Sequence, residues 1–187
     1  VTHYAPDLDA ITSVWLIKRF LPNWQEATVA FVPAGKTLNN EISDSDPQIL
    51  HVDTGFGILD HHQTDENTCA AKKTYKYLRE KLNKFNAKTL SQNNTKSLGV
   101  LANTPPRWEW EDETLERMCD VVNFYDHFGE AKLTDADADY HVFNIVGILD
   151  GLKQLYLDQD PRIVDLGCTL LDGLYKTMKE KVWAEEI

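Results

Sequence analysis

VTHYAPDLDAITSVWLIKRF, residues 1–20, is the stretch that decides the fold reading. Val1–Tyr4 reads as the end of a β-strand, and Pro6 stiffens the turn that follows it. From Asp9 to Phe20 the spacing is helical, with Ile11, Val14, Trp15, Leu16 and Ile17 giving a wide apolar face. Lys18 and Arg19 suit the C-terminal turn of that helix, and Pro22 lies just beyond it.

Working outward, Ala27–Val32 (ATVAFV) is a short apolar run stopped by Pro33-Ala34-Gly35 and predicts a buried strand. Asn39–Pro47 is polar and turn-rich, and Gln48–Asp53 (QILHVD) predicts the next strand. Gly55 and Gly57 around Phe56 predict a tight return, a hairpin, leading into Asp60-His61-His62. Thr68–Leu82 and Asp112–Asp126 have helical spacing, Phe85–Arg107 reads as a loop, and His141–Leu157 and Pro161–Trp183 read as two further helices. Early strands alternating with helices predict an α/β fold: a mainly parallel sheet flanked by helices, with an extra helical C-terminal part. The expected division is a domain over residues 1–130 and a helical extension over 131–187 packed on it. Ligands of open parallel sheets sit beyond the carboxyl ends of strands, where His3 and Asp53 fall.

The composition bounds the function. With 187 residues and 42% hydrophobic content the chain can bury a core. No apolar run reaches the roughly 18–20 residues of a membrane span. The first residues, with Asp7 and Pro6, do not resemble a signal peptide, although a chain opening on Val1 makes that a weak point. A cytoplasmic protein without membrane contact is the expectation. Cys69, Cys119 and Cys168 form no CxxC pair and no zinc spacing. A net charge of −11 argues against a general nucleic-acid coat. Yet Lys72, Lys73, Lys76, Arg79, Lys81, Lys84, Lys88 and Lys96 cluster against the single acid Glu80. That run is either a solvated helix face or a local attraction for phosphate.

The chemistry-bearing residues are concentrated. His3, Asp7 and Asp9 stand where a strand exits and a helix begins, and helix capping explains the acids there but not the histidine. Such a turn can aim an imidazole and two carboxylates at one place, a nitrogen–oxygen set suited to Mn²⁺, Fe²⁺, Co²⁺ or Zn²⁺. Asp53 ends an apolar strand, Asp60-His61-His62 is an uncommon string, and Asp126 closes a helix at the end where an acid opposes the macrodipole. Other strings are better explained by ordinary structure. Asp135, Asp137 and Asp139 alternate like a calcium loop but lack its glycine and glutamate. His51 shares a strand face with Asp53, His127 adjoins Asp126, and Trp108 and Trp110 flank Glu109 in a way that could stack a base.

Four segments in order, HYAPDLDAITS, ILHVDTG, LDHHQ and VNFYDHFG, together resemble the DHH phosphoesterase superfamily over roughly residues 1–130. That superfamily includes manganese pyrophosphatases, exopolyphosphatases, single-strand exonucleases and phosphodiesterases of small oligonucleotides. The resemblance implies two divalent cations, most simply Mn²⁺. It places His3, Asp7 and Asp53 on the first and Asp9, Asp53, His61 and Asp126 on the second, with Asp53 bridging. It places His62 toward a substrate phosphate and Asp60 behind a histidine, fixing its tautomer. Two such cations activate a shared water for in-line attack on phosphorus and offset charge on the phosphoryl oxygens. Asp9→Ala or His61→Ala is then expected to abolish hydrolysis and leave the fold largely intact.

The chain departs from that pattern twice. Only seven residues separate Asp53 from His61, which looks more like the Myg-type exonuclease branch, whereas the first motif is closer to the pyrophosphatase style. The residues after Asp126 read as helices and show no Gly-rich His motif of a substrate-capping domain. The cleft is therefore open, completed by a second subunit in a homo-oligomer, or completed by chain outside these residues. The expected substrate is a small phosphorylated compound or a short single-stranded oligonucleotide. The alternative is a non-catalytic metal- or nucleotide-binding module of the same kind.

Overall fold

A computed structural model describes residues 1–92, 112–185 and 187. Among the described residues five α-helices form: α1 (Leu8–Phe20), α2 (Ala70–Gln92), α3 (Asp112–Asp126), α4 (Ile145–Leu155) and α5 (Asp160–Glu185). Two parallel strands, β1 (Thr2–His3) and β2 (Phe31–Val32), pair with Thr2 opposite Phe31 and His3 opposite Val32. Trp108, Trp110, Lys96 and Pro105-Pro106 lie outside the described residues.

The expected mainly parallel sheet flanked by helices does not form. Helix accounts for 58% of the structure, and the sheet has two strands of two residues. Both apolar runs are buried or partly buried, but too little of either is extended to build a ladder. In Ala27–Val32 only the last two residues pair, before Pro33 removes the next donor. Gln48–Asp53 is held by isolated bonds instead: the Val1 amino group donates to Leu50 O at 2.7 Å and Val52 N to Val1 O at 2.9 Å. Asp53 then turns left-handed, φ +53°, and ends the extended path. The Gly55–Gly57 return is not a hairpin, because the Val52–Leu59 bridge is parallel. Helices, which satisfy their own backbone groups, take over the burial that a wide sheet would provide. The helix predicted to stop near Leu82 instead runs to Gln92.

Helix α1 is the centre of the molecule. It packs on α2, α3, α4 and α5, so its polar Asp9, Thr12 and Ser13 are as buried as Ile11 and Leu16. Trp15 and Phe20 of α1 meet Tyr175 of α5 edge-on, with centroids 5.8 and 5.6 Å away. The Trp15 indole N–H donates to Asp172 at 3.0 Å. Gly167 lets α5 approach: a Cβ there would lie 2.7 Å from the Ile11 Cγ2 methyl and 3.3 Å from Leu149. Among the described residues no helix is long and apolar enough to cross a membrane.

Gly167→Val would force a branched side chain against the stiff, fully buried Ile11. A loss of about 2 kcal/mol is expected from overpacking, read as a lowered urea midpoint. An unchanged midpoint would mean that α5 does not seat on α1 as described.

Candidate metal centre

Two helix starts and two loops converge on one place. The β1–α1 turn supplies His3 and Asp7. Ala5 within it is left-handed, φ +50°, a costly geometry for a residue with a Cβ. The Ala5 N–H donates to Asp160 of α5 at 3.2 Å, which anchors the turn. Asp7 caps α1 by accepting from Ala10 N at 3.0 Å. One residue into α1, Asp9 is 2% exposed, and its two oxygens accept from Ala70 N and Ala71 N at 2.7 Å each. It therefore caps α2 from another helix. Asp53 follows the second extended run, His61 follows the Leu59 bridge, and Asp126 ends α3.

Asp53 lies between two groups of side chains. Its Oδ2 is 3.2 Å from His3 Nε2, and its Oδ1 is 3.4 Å from His61 Nε2. His61 Nε2 also faces Asp9 Oδ2 at 3.6 Å and Asp126 Oδ2 at 3.7 Å. Potential ligand atoms of His3, Asp7 and Asp53 lie within 4.8 Å of one another, as do those of Asp9, His61 and Asp126 and those of Asp53, His61 and His62. His61 Nε2 and Asp53 Oδ1 are buried and have no hydrogen-bond partner. Separations of 3.4–3.7 Å are long for hydrogen bonds. Two atoms each about 2.1 Å from one cation sit roughly 3.0–3.4 Å apart, so the His61 distances are near what a shared ion would set. Four carboxylates, Asp7, Asp9, Asp53 and Asp126, meet three imidazoles here. The donor set is oxygen-rich with nitrogen, the chemistry of Mn²⁺ or a neighbouring transition ion. The residues fit two divalent cations by both charge and donor type.

The supporting contacts orient the histidines. His3 Nδ1 bonds to Tyr4 O at 2.8 Å, which leaves Nε2 toward Asp53. Asp60, fully buried, bonds His62 Nδ1 at 2.7 Å and accepts from His62 N and from Phe56 N. Gln63 donates to Gly57 O and Asp60 O, and Lys73 donates to Asp60 O as well. In the sequence Lys73 stands out only as part of the basic run and Gln63 only as the end of LDHHQ, neither as a support for Asp60. His51 is buried away from the cluster, accepting from Leu38 N at 3.1 Å through Nε2. His127 donates through Nδ1 to Asn123 O, its ring 6.4 Å from that of His61. Asp135 pairs with His141 rather than with Asp137 or Asp139. All three cysteines are free.

Crowding sets the proton affinities. Burial, then the charges of Asp53 and Asp126, push Asp9 well above the usual carboxylate range. Burial likewise raises Asp126, against the pull of His61. Burial opposes ionisation of Asp53 too, but His3 and His61 outweigh it and bring it to about 2. The Asp53 carboxylate beside it raises His61 to about 9 against its burial. Burial disfavours charged His3, yet Asp53, the Tyr4 carbonyl and Asp7 together raise it to about 9.

A histidine whose value rises on folding stabilises the fold below its unfolded value, and that stability is lost as pH climbs through the folded one. In EDTA the urea midpoint should therefore fall between pH 6.5 and about 9 as His3 and His61 lose their protons. With saturating Mn²⁺ the same rise should strengthen the protein, because ligation needs neutral imidazole. Parallel curves with and without Mn²⁺ would contradict a metal centre at these residues. No family model, no curated protein and no solved structure matches this chain.

Proposed function

We propose that the chain is a divalent-metal-dependent phosphoesterase of the DHH kind. Its substrate would be a phosphodiester or phosphoanhydride in a small phosphorylated compound or short single-stranded oligonucleotide. The observation that carries this reading is the buried pair His61 Nε2 and Asp53 Oδ1, without hydrogen-bond partners and set among the carboxylates of Asp9, Asp53 and Asp126. His3, Asp7 and Asp53 would hold one cation and Asp9, Asp53, His61 and Asp126 the other, Mn²⁺ being the expected ion. When bound, the cations would supply Lewis acidity to a phosphoryl oxygen and lower the pKa of an attacking water.

The chain's own groups would do the rest. His62 is half-exposed at the mouth of the cluster, 54% by side chain. Its Nδ1 is held by Asp60, which leaves Nε2 for a phosphoryl or leaving-group oxygen. Asp60 would act through His62 as a positioning residue, since the carboxylate has no exposed surface of its own. The basic run contributes less to phosphate attraction than its length suggests. Lys72 pairs with Asp120 at 2.6 Å, Lys73 is bonded to Asp60 O, and Lys81 and Arg79 lie over tyrosine rings. Among the described side chains of the run, exposed Lys76 and Lys84 remain, which favours a small substrate over a long strand. Free thiols suit a reducing compartment, so a cytoplasmic location belongs to the same proposal.

Asp9→Ala is a poor probe of this reading, contrary to the sequence-based expectation. It would also strip the acceptors from two buried N–H groups of α2 and cost about 1–3 kcal/mol of stability. His62→Asn and Asp60→Asn are cleaner. Bound Mn²⁺ would be measured alongside turnover of bis-p-nitrophenyl phosphate, pyrophosphate and dinucleotides. His62→Asn should lower kcat by roughly 10²–10⁴ with metal content unchanged. Asp60→Asn should lower it by roughly tenfold to a hundredfold. Two bound metals without turnover of any of these substrates would instead favour a binding module, and native turnover in His62→Asn would remove that residue from the mechanism.

A further inference from the structure

One exposed ring is held where folding gains little from it. Phe56 stands three residues after Asp53, in the connection that leads to Asp60-His61-His62. It is 57% exposed, and its backbone is left-handed, φ +56°. Glycine at this position would relieve the strain, and a ring with more than half of its surface in water returns little burial. Single exposed hydrophobic residues are ordinary on a protein surface. A bulky side chain kept in a left-handed backbone is not.

The surroundings fix this residue closely, as a strained position requires. The Phe56 N–H donates to Asp60 Oδ2 at 2.7 Å. On either side of it, Thr54 Oγ1 donates to Lys36 O at 3.0 Å and Ile58 N to Asp44 Oδ2 at 2.8 Å. The tip of the ring rests over Gly35, where a Cβ would stand 3.3 Å from Phe56 Cζ. The other oxygen of Asp60 holds His62 Nδ1, again at 2.7 Å. One buried carboxylate thus sets both the ring-bearing residue and the imidazole at the mouth of the cluster. Phe56 N and His62 Nδ1 are at most roughly 8 Å apart through it.

A phosphate beside His62 would have its organic substituent within reach of that ring. Inorganic pyrophosphate or polyphosphate has nothing to place there. A nucleotide has a flat base one sugar away from its phosphate, and any base can stack on an aromatic face. Stacking needs no counter-charge, so a net charge of −11 does not oppose it.

We propose that Phe56 is the base-stacking residue of this site, so that the substrate is a nucleotide or dinucleotide and not an inorganic phosphate; this rests on the phosphoesterase function proposed for the cluster. Calorimetric titration in Mn²⁺ buffer with AMP, against ribose 5-phosphate as the same sugar and phosphate without a base, tests it. AMP should bind roughly tenfold or more tightly. Phe56→Gly should abolish that preference, leave ribose 5-phosphate affinity and Mn²⁺ content unchanged, and keep or raise the urea midpoint. Phe56→Trp should retain the preference. Equal binding of the two ligands to the native chain, binding of neither, or a native preference for AMP in Phe56→Gly would each overturn the proposal. A lowered urea midpoint in Phe56→Gly would do the same, because the ring would then serve the fold. Mn²⁺ content reads the metal centre separately: a native chain that binds no Mn²⁺ but still prefers AMP through Phe56 would overturn the phosphoesterase reading and uphold the role of the ring.

Discussion

Asp9 is almost without exposed surface, yet it carries a carboxylate in the first turn of the most buried helix in the protein. What makes that position tenable is the start of α2, whose first backbone N–H groups both point at it. A helix N-terminus carries a partial positive charge and unsatisfied donors, and a buried acid is one of the few groups that can use both. Two small residues, Ala70 and Ala71, let the backbone come that close. The bonds tie α1 to α2 across sixty residues of chain and leave the acid facing His61. With Asp7 capping α1 itself, two helix N-termini end up at one carboxylate cluster. The placement of the other charged groups follows from that convergence.

The cluster is expensive to keep. Bringing Asp9, Asp53 and Asp126 around one imidazole raises two of the three acids and drives protons onto His3 and His61. Ala5 and Asp53 add left-handed backbone at non-glycine positions, on the order of 1–3 kcal/mol each. A protein that used these residues only to hold itself together would be more stable with apolar side chains in their place. Like charge gathered at one point is more economically explained by a ligand whose charge offsets it. That is an argument for the proposed cations from energetics, separate from the resemblance of the four sequence segments.

The parts legible in the sequence were those with strong local signals. The bounds of α1 and α3 follow from period and caps, while the gathering of His3, Asp7, Asp9, Asp53, His61 and Asp126 is what the resemblance of the four segments implies and single residue types do not. The sheet was misjudged because a short buried apolar run has the same composition whether it pairs along its length or at one residue. Val52 and Leu50 are buried as a strand would be, but they find single partners in Val1 and Leu59. Asp9 as a cap for α2 could not be seen at all. The spacing of residues 9 and 70 carries no periodic signal, and only the tertiary fold brings them together. The same is true of Lys73 and Gln63 behind Asp60.

The C-terminal helices look in sequence like an appendage, and the packing gives them a different standing. Helix α5 lies along α1 through Gly167 and the Trp15–Tyr175 contact, and its first residue, Asp160, holds the Ala5 N–H. The left-handed turn that aims His3 and Asp7 is thus secured by a residue more than 150 positions away in sequence. A turn with a strained residue has more than one conformation within reach, and a remote hydrogen bond is a direct way to select one. The aim of His3 at Asp53 therefore depends on the seating of α5.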